Sequence, residues 1–246
     1  MTIKKLPKKT RKLLENYLKI RAGKLKLVCP YYQNVWKTTK KPVYSGKGLP
    51  KEIEKEIEKL VDQKPILRTV DKETFRHYLV MAGIGIDCSG LVFNLLNQYL
   101  IDKFGQQLKE SVNLKGKPVY RQIIFRLRPR TNLSAHELTS FPVSQKIDWQ
   151  DSQPGDLLKV GRPHVALITK VWLKNKKISK IQYAHSTSQY KIEHGVRIGE
   201  ITIKNSRLPL GKQDWNENYQ GKNWTKEDFQ KTSASLKGIF RIQISR

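Results

Sequence analysis

Cysteine is scarce in this chain: its 246 residues include two, Cys29 and Cys88. So small a supply excludes the multiply bridged scaffolds of small secreted proteins. Acidic residues are also few, 21 Asp and Glu against 48 Lys and Arg, which leaves a net charge of +27. Such an excess attracts polyanions over long range, and nucleic acid, anionic wall polymers and anionic lipid all qualify. A Lys-rich surface that only keeps the protein soluble is the plainer alternative. No apolar run approaches membrane-spanning length. The basic start Met-Thr-Ile-Lys-Lys-Leu-Pro-Lys-Lys leads into no apolar h-region, so no export signal is recognisable. A cytoplasmic location, or release to the wall by a non-classical or lysis route, is the expectation. Internal repeats and long low-complexity linkers are missing too, and nothing calls for a second catalytic domain.

What is present is an ordinary globular composition, 38% hydrophobic and 9% aromatic, on a chain long enough to bury a sizeable core. Residues 1–26 hold ten Lys or Arg and one acid, Glu15, while Leu13, Leu14, Tyr17, Leu18 and Ile20 recur near helical spacing. This predicts a basic amphipathic helix ending near Gly23, within an arm over 1–28 that either docks on the core or grips a surface. Residues 29–246 then form the main domain. From Cys29 to Gly48, Pro42, Gly46 and Gly48 punctuate a loop. Pro50 suits a first helical position, and Ile53, Ile57, Leu60 and Val61 share one face of the helix it opens. Asp71 is placed to cap a short helix carrying Phe75, Tyr78 and Leu79.

Farther along, the run from Leu91 to Ile101 predicts a buried helix that starts at Cys88 and ends near Gly105. Basic and apolar residues interleave from Val119 to Arg130, as in a strand or a cationic ridge. Ser134-Ala135-His136-Glu137 reads as a capping box that opens a short helix. Pro154-Gly155-Asp156 is a turn that launches a strand over 157–160. Further strands follow over 164–173, 176–185 and 239–244.

A thiol attacks an acyl group as thiolate, and both a helix N-terminus and a neighbouring imidazole favour that form. Cys88 sits where a Gly-rich loop turns into a buried helix, so unpaired N–H groups are expected to face its sulfur and a developing oxyanion. The histidines are His77, His136, His164, His185 and His194. A hairpin over 164–185 turning at Lys174-Asn175 sets His164 opposite His185, with Ala166 opposite Tyr183 and Ile168 opposite Ile181 on the same face. His164 then serves as general base and His185 orients its ring. The plainer alternatives are a small buried hydrophobe for Cys88 and surface residues for the two histidines. Asp87 reads as a capping group and Ser89 as structural. A zinc site from Cys88, His164 and His185 lacks a fourth ligand of the usual kind, so no metal or cofactor is expected.

Asp87-Cys88-Ser89-Gly90-Leu91-Val92 resembles the signature of NlpC-type cysteine peptidases. Pro154-Gly155-Asp156-Leu157, His164-Val165-Ala166-Leu167-Ile168 and Tyr183-Ala184-His185-Ser186 resemble the family's later blocks, in the same order. The resemblance implies an α+β, papain-like fold in which the cysteine helix packs on an antiparallel sheet that bears the histidines. It also implies peptidoglycan stem peptides as substrates, cut at the γ-D-glutamyl bond to diaminopimelate or Lys by a triad of Cys88, His164 and His185. The family's usual Tyr and paired Gly before the cysteine motif have their nearest counterpart in Tyr44-Ser45-Gly46-Lys47-Gly48, separated from Cys88 by a charged helical insertion. Tyr31, Tyr32 or Tyr44 is the candidate for the substrate-facing role, and Asp87 and Ser89, which flank the nucleophile, are further substrate-binding candidates. Two other readings stay open: an amidase or acyltransferase of the same fold on another substrate, and a non-catalytic polyanion-binding protein, for which the chain offers charge but no nucleic-acid motif. A Cys29–Cys88 disulfide would silence the nucleophile.

Overall fold

Apolar residues spaced about 3.6 apart and apolar residues spaced two apart sort this chain into helices and strands. The computed structural model describes residues 1–23, 25–34, 41–112, 114, 116–161 and 163–244. In chain order the elements are β1 (Thr2–Lys5), α1 (Lys8–Leu18), β2 (Ile20–Ala22), β3 (Leu25–Leu27), α2 (Pro50–Gln63), α3 (Lys72–Met81), α4 (Cys88–Phe104), α5 (Leu108–Ser111), α6 (Val119–Leu127) and α7 (Ala135–Leu138). Then come β4 (Ser144–Ile147), β5 (Leu157–Gly161), β6 (His164–Lys174), β7 (Lys177–Thr187), β8 (Gly195–Thr202), β9 (Asp214–Asn216), α8 (Trp224–Lys231) and β10 (Gly238–Ile242). The fold is α+β. One antiparallel sheet runs β4-β10-β5-β6-β7-β8-β9, with β1 added along β6 beyond β5.

Helix α4 is the centre of the first layer. Asp87 caps its start by accepting from the Gly90 N–H, and Gly105 ends it in the left-handed region at φ 71°. Its Leu91, Val92, Leu95 and Leu96 pack with Val165, Leu167 and Ala184 of the sheet. Each such side chain contributes roughly 1.5–3 kcal/mol by leaving water. The opposite sheet face sends Ala166, Ile168, Tyr183 and Ile201 into a second core with Leu210, Trp215 and Phe229. The sheet is therefore covered on both sides.

The helices expected at Pro50, Asp71, Cys88 and Ser134 all form. Asp71 accepts from the N–H groups of Glu73 and Thr74, and Ser134 from that of Glu137. Three expectations need correction. The basic N-terminal helix covers Lys8–Leu18 and ends short of Gly23, and of the two arrangements expected for it the structure shows docking on the core. The preceding β1 pairs with β6, and Leu14 and Tyr17 are buried. The Tyr17 hydroxyl donates to the Gly48 carbonyl at 2.8 Å and accepts from Asn94 at 2.8 Å, which ties α1 to α4. The interleaved stretch after Pro118 is a helix, because its apolar residues recur at four-residue steps and not alternately. The β6–β7 turn falls on Asn175-Lys176, whose φ values of 51° and 64° suit a two-residue hairpin turn. Ile168 consequently pairs with Tyr183 and Leu167 with Ala184, and two register shifts follow along the ladder. Of the loop expected from Cys29 to Gly48, residues 35–40 lie outside the described residues.

Candidate active site

Cys88 is the first residue of α4, buried where that helix meets the ends of β6 and β7. Its thiol donates to the Pro163 carbonyl at 3.4 Å, and the N–H groups of Ser89 and Val165 lie within hydrogen-bonding reach of the sulfur. The sulfur thus rests on main chain that flanks His164 on both sides. Two residues before Cys88, the Ile86 carbonyl accepts from the Ser186 hydroxyl of β7 at 2.7 Å. Gly90 is required here, since a Cβ on it would collide with the Gly46 carbonyl oxygen. Cys29 and Cys88 are both free thiols.

Strand parity sorts the residues around this point. Val165 and Leu167 turn toward α4, whereas Ala166 and Ile168 turn to the opposite core. His164 shares the parity of Ala166 and stands at the end of β6, next to the Pro163 and Val165 main chain that holds the thiol. There Gly161 pairs with His164 after a bulge in β5.

The corrected register leaves the two histidines diagonal and still in contact. His164 Nε2 and His185 Nδ1 are 2.7 Å apart, with the rings edge to face. The chain continues inward: His185 Nε2 lies 2.6 Å from Glu217 Oε1, and the Tyr183 hydroxyl donates to Glu217 Oε2 at 2.6 Å. The Arg197 Nε is 3.4 Å from the same carboxylate. Its guanidinium stacks 4.0 Å from the centre of the Tyr190 ring, whose hydroxyl donates to the Glu217 carbonyl at 3.1 Å.

These contacts set charge states. Burial by itself would raise the Glu217 pKa, but His185, Tyr183 and Arg197 outweigh it and hold the carboxyl at about 2. Glu217 is therefore an anion that only accepts. In the neutral His185 ring the proton must then sit on Nε2, which leaves Nδ1 as an acceptor. His164 must donate from Nε2, and its own Nδ1 is left with a bare lone pair. Burial first, and then the neighbouring His185, hold the His164 imidazole down at about 3, although Glu217 pulls the other way. Burial and Asp87 push the Cys88 thiol up to about 11, against the pull of Lys47 and the two N–H groups. The resting pair is a thiol and a neutral imidazole.

Other residues singled out from sequence fall in different places. Asp87 is the helix cap, and Ser89 donates to its carboxylate at 3.0 Å. Tyr31 is half-buried within electrostatic reach of Cys88 and Asp87; burial, then those two groups, push its hydroxyl pKa up. Its N–H donates to His194 Nδ1 at 3.1 Å, which gives that histidine a positioning role. Tyr32 packs on Gly83 and Gly85. Tyr44 turns toward α2, where its hydroxyl donates to Glu56 at 2.6 Å. His77 and His136 stand apart, against Tyr78 and Ser140.

Two site residues escaped the sequence. Lys47, in the Gly46-Lys47-Gly48 stretch, returns to Cys88 across the inserted helices: Asp87 N–H donates to the Gly46 carbonyl at 3.0 Å, and Lys47 bridges to Ile86. Its buried ammonium lies 2.7 Å from Asp87 Oδ1 and also donates to Ser89. Glu217 is the other; its only signal is an acid set between Trp215 and Tyr219. Among the described residues no cluster of His, Cys, Asp and Glu has the geometry of a metal site. Comparison of the chain with protein-family models, with curated proteins and with solved structures returned no match.

Proposed function

We propose that this chain is a papain-like cysteine hydrolase of the NlpC type that cuts amide bonds in peptidoglycan stem peptides. The observations that carry the reading are the His164–His185–Glu217 hydrogen-bonded chain and the seating of the Cys88 thiol, at the start of a buried helix, against the Pro163 and Val165 main chain on either side of His164. The ordered sequence blocks supply the substrate class, and the net charge of +27 suits an anionic wall.

In the proposed reaction His164 Nδ1 takes the Cys88 proton as the sulfur attacks the scissile carbonyl carbon. A resting thiol and neutral imidazole require these two events to be concerted. The carbonyl electron pair moves onto oxygen, which N–H groups of the first turn of α4 stabilise. The tetrahedral intermediate collapses, the C–N bond breaks, and His164 gives its proton to the departing amine. Water, deprotonated by His164, then attacks the thioester and releases the acid and the thiol. His185 and Glu217 touch none of the reacting atoms; they are positioning residues that fix which nitrogen of His164 is basic.

The test is digestion of purified muropeptides by wild type and Cys88→Ala, read by mass spectrometry. Wild type should release fragments with a new α-amino group, and Cys88→Ala should release none. Absence of any fragment from a wild type whose Cys88 is reduced and alkylatable would sink the substrate assignment.

A further inference from the structure

Helix α6 is mounted with its apolar side outward. At about 100° per residue, Val119, Tyr120, Ile123, Ile124 and Leu127 fall on one side, and all five are exposed, Leu127 at 76% and Val119 at 70%. The inward side is anchored by Phe125, buried beneath the helix, and by Arg121, paired with Glu137. An apolar face of this size on a surface helix normally packs at home. Among the described residues nothing covers it.

The surroundings of that face are cationic. Arg126 borders the apolar arc and Arg128 follows the helix, both exposed. Just beyond Leu127 opens a groove of about 600 Å³ lined by Lys51, Lys109, Arg128 and Arg130, with no carboxylate among its lining residues. Arg130 is paired with Glu52, but among the described residues no carboxylate pairs with Arg126, Arg128, Lys51 or Lys109.

We infer that α6 and the adjoining groove form a docking surface for an anionic lipid bilayer. The helix lies in the interface, with Val119, Ile123 and Leu127 among the acyl chains and Arg126, Arg128 and Lys109 on the phosphates. A short basic amphipathic helix binds in this way, by apolar burial added to attraction for anionic headgroups. Charge decides against a second copy of the chain: a two-fold contact through α6 would gather Arg126, Arg128 and Lys109 of both copies at one interface, with no carboxylate in the groove lining to offset them. Among the described residues no helix is long and apolar enough to cross a membrane, so the contact is peripheral. This inference stands independently of the proposed hydrolase.

The experiment is co-sedimentation of the full chain with vesicles of phosphatidylcholine alone and of phosphatidylcholine with phosphatidylglycerol. Wild type is expected to pellet only with the second. Ile123→Ser with Leu127→Ser should weaken binding about tenfold or more, and Arg126→Gln with Arg128→Gln should also weaken it about tenfold or more. All four positions are exposed, so circular dichroism should show the fold unchanged. Three results overturn the inference. One is failure of wild type to pellet with the anionic vesicles. Another is an apolar double variant that pellets as wild type does, which reduces the effect to charge. The third is a solution dimer that the apolar substitutions abolish while vesicles are ignored.

Discussion

Glu217 dictates the direction of every hydrogen bond between itself and the surface of the site. Its two oxygens accept from Tyr183 and from His185, each at 2.6 Å. Glu217→Gln keeps the volume but leaves a single acceptor for two donors. The His185 tautomer is then no longer enforced, and His164 loses its guaranteed basic Nδ1. For the proposed hydrolase a fall in kcat on the order of 10²–10⁴-fold is expected, with the near-ultraviolet dichroism retained. Should the loss be no larger than that of Tyr183→Phe, Glu217 is a packing group. A second prediction concerns the thiol. Because its pKa is pushed up to about 11, the rate of Cys88 alkylation by iodoacetamide should climb about tenfold per pH unit between roughly pH 7 and 10. A plateau near neutral pH would reveal a preformed thiolate–imidazolium pair and overturn the concerted step.

At the scale of elements, strands β7 and β8 carry the relay. Their ladder pairs Tyr183 with Gly199, and the tyrosine ring lies where a Cβ on Gly199 would stand. Gly199→Ala should therefore displace Tyr183 from Glu217. The expected cost is about 1–3 kcal/mol, read as a lower urea midpoint at unchanged m-value, together with reduced activity. An unchanged midpoint would mean that the ring has room to shift. The elements themselves differ in how far the sequence announces them. Helices α2, α3 and α4 carry both a cap and a buried stripe, Asp71 and Asp87 among the caps, and were readable as they stand. The β6–β7 register was not. A hairpin's pairing follows from which two residues take positive φ, and Asn175-Lys176 competes with Lys174-Asn175 on composition alone. Helix α6 misled for the reverse reason: its apolar side faces out, so amphipathic spacing gave no core to aim at.

For the molecule as a whole, the relay predicts sensitivity to acid. The carboxyl of Glu217 drops from an ordinary 4.5 to about 2 on folding, and the imidazole of His164 from 6.5 to about 3. In both windows the unfolded chain binds a proton that the folded chain refuses, so stability falls as pH falls. The His164 contribution is complete above about 6.5 and is lost toward 3; that of Glu217 is complete above about 4.5 and is lost toward 2. Urea midpoints should be level around neutrality and decline below about pH 6.5. Glu217→Gln should flatten the lower part of that decline. A midpoint indifferent to pH down to 3 would contradict the charge states assigned to the relay.

Short-range physics specifies what the residues alone announce: the cap and buried stripe of the Cys88 helix, the turn before β5, and a strand pair rich in β-branched residues. The chain also carries Asp87, Cys88, His164 and His185 in a recognisable order. Long-range packing is what returns Lys47 to Cys88 across the helices inserted after it, joins β1 and α1 to the core, and closes the relay with Glu217. Those contacts join residues far apart in the chain, Lys47 with Asp87 and His185 with Glu217. No local pattern encodes them, because each depends on the summed packing of the sheet and both layers around it.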